Sequence, residues 1–227
     1  MKFWLLLLPL SFLLAATPEE ARKARDAQDR AGLESAVESL RATAAKQPDD
    51  AEAQYRLALA NSYLAQIAIE TGDRRLARSA AEAGIEAAER AVALKPSNGE
   101  YHRMLGTLCG QVIPANALLG LKYGRCALDS INKAIEIDPK SSAAFLSRGV
   151  GNFYLPPSFG GGVELAIQDF ERAIALNAKS DEAYLWLGIA LRKANRNGEA
   201  RKAIVKSLEL NPGRVWAKQQ LEKTPAE

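Results

Sequence analysis

Two cysteines and a single histidine are all that this chain of 227 residues offers by way of thiols and imidazoles. Neither comes with partners at catalytic or ligand spacing. No HExxH, GxSxG or paired-Cys pattern surrounds His102, and a base without an aligned nucleophile or metal performs no chemistry. His102 falls where a large packing residue is expected, so the chain reads as non-enzymatic, with no cofactor and no metal. A clustered basic stripe is also missing. The formal charge of +3 comes from interspersed Lys, Arg, Asp and Glu, which excludes nucleic acid as a partner. Gly160-Gly161-Gly162 lacks the Lys and Ser or Thr of a phosphate loop, because Val163-Glu164 follow, and it reads as a plain turn.

One apolar run stands at the start, from Phe3 to Leu14, behind a single basic residue and ahead of small Ala15-Ala16. It is shorter than the roughly 20 residues that cross a bilayer, and Pro9 interrupts it. Residues 1–16 are therefore expected to be a cleaved secretory signal. That makes the mature protein periplasmic or secreted, with no membrane span after cleavage; an uncleaved inner-membrane anchor is the alternative. No Cys stands at the cleavage site, so lipid attachment there is unavailable. In an oxidising compartment Cys109 and Cys126 can pair, and the bridge would contribute about 3 kcal/mol by the chain-entropy estimate. Two buried small hydrophobes are the alternative, since spacing alone does not place the sulfurs.

What is present is an ordinary balance of 48% hydrophobic and 25% charged residues, enough to bury a core. The clearest pattern runs from Asp181 to Arg214. Leu187, Gly188 and Leu191, then Ala200, Ile204, Leu208 and Leu210, follow helical spacing on two segments joined by Asn195-Arg196-Asn197-Gly198. Asn211-Pro212 stops the second. Gly188 and Ala200 let the two backbones approach, with Leu187 and Ile204 on the flanks. Tyr184, Leu187-Gly188, Leu191, Ala200, Ile204 and Pro212 resemble a tetratricopeptide repeat, a helical hairpin of about 34 residues, with Ser207 where that family prefers Ala. The resemblance implies an all-α, right-handed superhelical solenoid that binds other proteins.

Weaker copies precede it. The units expected are 17–50, 51–98, 99–141, 142–180 and 181–214, followed by a capping helix and a fraying tail at 215–227. Thr17-Pro18-Glu19-Glu20 is a helix start with a capping box, and Ala31-Gly32 is the expected turn of the first unit. The second unit lengthens both helices, roughly Ala51 to Glu70 and Arg74 to Leu94. In the third, VIPANALLGLKYG is expected to be an apolar loop or short helical lid, because Pro114 and Gly120 interrupt a regular helix. The fourth carries YLPPSFGGG. All three insertions fall between first and second helices, and so along one edge of a stack.

In tetratricopeptide proteins the first helix of each unit lines the inner groove. Carried over, the partner-binding positions are Tyr55, Arg56 and Tyr63, then Arg103 and Met104, then Phe153 and Tyr154, then Trp186 and Arg192. Aromatic anchors beside arginines suit a peptide or protein partner; an oligomer is also compatible. YLPPSFGGG followed by AIQDFERAIAL resembles a loop in two groups, the T components of TRAP transporters and the regulator of microtubule dynamics family. An exported start sets the chain apart from the second group in function. The first implies an alternative to a scaffold: an accessory of an envelope transport system, holding a small apolar ligand between the 112–121 insert and the YLPPSFGGG loop.

Overall fold

A computed structural model describes residues 17–116 and 118–225; the expected signal, residues 1–16, lies outside them. Among the described residues the secondary structure is entirely helical. Five antiparallel hairpins follow one another: α1 (Pro18–Asp26) with α2 (Arg30–Lys46), α3 (Ala51–Thr71) with α4 (Arg74–Leu94), α5 (Gly99–Val112) with α6 (Leu119–Ile137), α7 (Ser142–Tyr154) with α8 (Val163–Leu176), and α9 (Asp181–Lys193) with α10 (Asn197–Leu210). A short helix, α11 (Val215–Glu222), closes the series. This is a tetratricopeptide solenoid. First helices pack side by side as an inner layer, and each second helix packs on its own partner and on the next first helix.

Local chemistry sets the helix ends. Thr17 and Glu20 form the capping box reciprocally, and Asp29, Asp50, Asp73, Asn98, Ser141 and Ser180 each accept a backbone N–H at a helix start. Gly72 ends α3 in the left-handed region at φ 82°, which glycine adopts without strain. The first turn is not at Ala31-Gly32. It runs over Ala27 to Asp29, with Gln28 at φ 53°, because the Asp29 side chain accepts from Gly32 N and starts α2 ahead of that pair.

The long insert is also more helical than its sequence suggests. After a 3-10 turn at Ile113–Ala115, α6 begins at Leu119 and runs straight through Gly120. Pro114 sits at a helix start, where its missing N–H leaves no gap. At the other end Thr224 does not fray: it is 3% exposed and its hydroxyl accepts from Arg192 Nη1 at 3.1 Å.

The apolar interior falls into two main clusters. One spans α1 to α6 around Leu33, Leu57, Met104 and Leu108; the other spans α7 to α11 around Phe170, Leu185, Trp186 and Ile204. At the inner contact of α5 with α7 the side chains are polar: Ser147 Oγ lies 3.0 Å from Thr107 Oγ1 and 3.2 Å from Arg103 Nη1.

Candidate functional site: the inner face and its clasp

The inner layer bends until its ends meet. Arg25, at the end of α1, donates to Glu182 of α9 at 2.6 Å. Asn211 Nδ2 donates to Asp26 at 3.0 Å, and Gln28 and Gln219 exchange amide hydrogen bonds. Arg214, just before α11, is fully buried, binds Glu182 at 2.8 Å through Nε and grips Glu70 through both terminal nitrogens. Glu70 reaches it because α3 has 21 residues, about 31 Å at 1.5 Å per residue. The lengthened helix of the second unit is what bridges to the C-terminal end.

The clasp holds three carboxylates, Asp26, Glu70 and Glu182, against two guanidinium groups, Arg25 and Arg214. Burial pushes the Glu70 carboxyl up, and Arg214 and Gln28 only partly offset that. Burial acts upward on Glu182 too, but Arg25 and Arg214 together outweigh it and hold Glu182 below its usual range. Arg25 also lies over the Tyr63 ring at 5.2 Å, and Arg214 over Trp216 at 5.5 Å.

The expected groove positions divide by what they touch. Met104 is 1% exposed in the core. Arg103 donates to Glu100 at 2.7 and 2.5 Å, and Tyr55 Oη donates to the same carboxylate at 2.7 Å. Burial acts upward on Glu100, and Arg103 with Tyr55 more than reverses it. Arg192 donates to the Gln220 carbonyl and side chain and to Thr224, so it fastens the C-terminal helix. Tyr63 is half-buried under Arg25. Arg56 is exposed and pairs with Glu52.

Phe153, Tyr154 and Trp186 come together. Their ring centroids lie 5.1 to 6.1 Å apart in edge-to-face pairs, a favourable geometry for aromatic groups. Trp186 is further sandwiched by Phe170 and Trp216, whereas Tyr154 stays 55% exposed. Lys193 lies over Phe153 and donates to its carbonyl. Trp216 and the clasp are the parts of this face that repeat-based reasoning missed. The signal was available in Arg214, a charged residue set between the Asn211-Pro212 helix stop and the apolar start at Val215-Trp216.

Cys109 and Cys126 form a disulfide that ties α5 to α6. His102 contacts the Pro96 carbonyl through Nε2 at 2.8 Å. Gly162 N–H donates to Asn152 O and Gly161 N–H to Pro156 O, so the triple-glycine turn folds back on its own hairpin. The 3-10 turn of the third unit packs instead on α4, α5 and α6.

Comparison with known proteins agrees with the geometry. Residues 160–214 match a tetratricopeptide repeat model, and the fold is that of the thermophilic tetratricopeptide protein TTC0263 of Thermus thermophilus. The likeness to that structure has a TM-score of 0.65 at 18% identity, over 91% of this chain and 98% of that one. MamA of Desulfovibrio magneticus is more distant, with a TM-score of 0.45 at 16% identity over 89% and 99% of the two chains. The chain is a tetratricopeptide protein. More particularly, residues 18–155 match the model described as regulator of microtubule dynamics protein 1-3, and the chain belongs to that family. This match ends at Leu155, before PPSFGGG, so the kinship lies in the first three and a half hairpins and outside most of the loop that suggested it. No curated protein matches.

Proposed function

We propose that the protein is a non-enzymatic scaffold of the periplasm or secreted space, which receives a protein or peptide partner on its inner face at Phe153 and Tyr154. The observation that carries this is the contrast within one aromatic cluster. Trp186 is locked between Phe170 and Trp216, while Tyr154 beside it is left 55% exposed. A rigid aromatic support under an accessible tyrosine is the usual composition of an interface anchor. Arg56 is a second accessible position; Met104, Arg103 and Arg192 support the face from within.

The leader-like residues 1–16 support an exported setting, and so does the disulfide, since such bridges persist in oxidising compartments. The family name speaks of microtubule regulation, a setting an exported protein would not share. The alternative of a small apolar ligand between the insert and the YLPPSFGGG turn lacks support, because the two are held by different neighbours.

A photoreactive group placed at position 154 in the native envelope should give discrete adducts that the same group at Val205, on α10, does not. Replacing Phe153 by Ala should remove them. Identical adducts from both positions, or adducts indifferent to Phe153, would defeat the assignment.

A further inference from the structure

We infer that the edge carrying the hairpin turns docks on the surface of an anionic lipid bilayer. From the second hairpin on, the turns follow one another along one edge because the hairpins stack in order, while the first is taken up by the clasp. Leu121, Phe159 and Leu118 are 87, 74 and 71% exposed, the highest values for large apolar side chains among the described residues, and all three lie at or beside a turn. Single exposed leucines need no explanation; the three most exposed, all at the turns of two successive hairpins, do.

Their surroundings specify the occupant. Lys122 follows Leu121 on α6, and the next residue, Tyr123, donates to Glu82 of the adjoining hairpin at 3.1 Å, so the third turn stands next to the second. Directly after that second turn α4 opens with Arg74 and Arg75, which are exposed and, among the described residues, paired with no acid. The acids alongside are engaged: Asp73 caps α4 and pairs with Arg30, and Glu82 takes Arg78 and the Tyr123 hydroxyl. Apolar tips rimmed by uncompensated cations match an acyl-chain boundary beneath acidic headgroups. A rigid mount is also needed, and the Cys109–Cys126 bridge fastens this part of α6 to α5.

The test is co-sedimentation of the full chain with phosphatidylcholine vesicles containing phosphatidylglycerol, against phosphatidylcholine alone. Binding is expected only to the anionic vesicles and should weaken with salt. Leu121→Glu with Phe159→Glu should lower vesicle affinity by about tenfold or more, and Lys122→Glu with Arg75→Glu should lower it and flatten its salt dependence. Circular dichroism verifies that each pair folds. Residues 1–16 are the same in every variant, so binding through that apolar run would survive both pairs and overturn the proposal, as would equal binding to neutral vesicles. Unchanged vesicle binding together with lost crosslinks at position 154 would assign the edge to a protein partner instead and equally overturn it.

Discussion

At the scale of single residues, Gly188 marks a close helix–helix contact. A Cβ there would lie 2.4 Å from Ile204 Cγ1 and 2.8 Å from the Ala200 carbonyl, and a carbonyl on a packed helix does not step aside. Gly188→Ala is therefore expected to destabilise the protein by about 1–3 kcal/mol. Gly151, in α7, has open space around its missing Cβ, so Gly151→Ala should instead stabilise by about 0.5–1 kcal/mol. Chemical denaturation of both variants checks the pair, and equal effects would contradict the packing described. The Gly188, Ala200 and Ile204 contact was legible in the sequence, because small residues at matching helical positions have few other uses. Arg103 was legible only as a groove cation. Its capture by Glu100 depends on rotamers that spacing does not encode.

At the scale of elements, α6 is the helix held least evenly. Its buried residues, Ile131 and Ala134, lie in its second half, while Lys122 and Arg125 are exposed in the first. There the attachments are the disulfide, the Tyr123 hydrogen bond to Glu82 and the packing of half-buried Leu119, Tyr123 and Ala127 on the core. Reduction, or Cys126→Ser, should cost about 3 kcal/mol and speed tryptic cleavage at Lys122 and Arg125 ahead of other sites. Cleavage at an unchanged rate would mean that packing alone holds this half. Helical hairpins could be read from spacing, and the lengthened pair α3 and α4 nearly to the residue, because helix formers run unbroken to Thr71-Gly72-Asp73. The start of α6 could not: Pro114 and Gly120 look like breakers, and only the 3-10 turn ahead of Leu119 makes them compatible with a helix.

At the scale of the whole molecule, the clasp governs. Arg214→Ala leaves Glu70 and Glu182 buried with less positive charge, which should cost about 3–5 kcal/mol. The pH response has two parts of opposite sign. The carboxyl of Glu70 is raised above the ordinary 4.5, so the folded state binds its proton more tightly, and stability grows as pH falls from neutral through the folded pKa. Glu182 and Glu100 are held below 4.5; their contribution is present above that value and is lost as pH falls through their folded values. Thermal melts should therefore show a small rise in Tm on mild acidification and a decline below about 4.5. Glu70→Gln should remove the rise and keep the decline.

None of the clasp could be read from repeat spacing, since its partners stand as far as 185 and 191 residues apart and belong to no repeat position. Those same separations change how the protein comes apart. An open array of repeats melts piecemeal, each unit answering only to its neighbours, with the terminal ones loosening first. Here the first and last hairpins shelter one another, so neither is terminal in the energetic sense. Amide exchange in α1 and α10 should be as slow as in α5, and the array should unfold in one cooperative step.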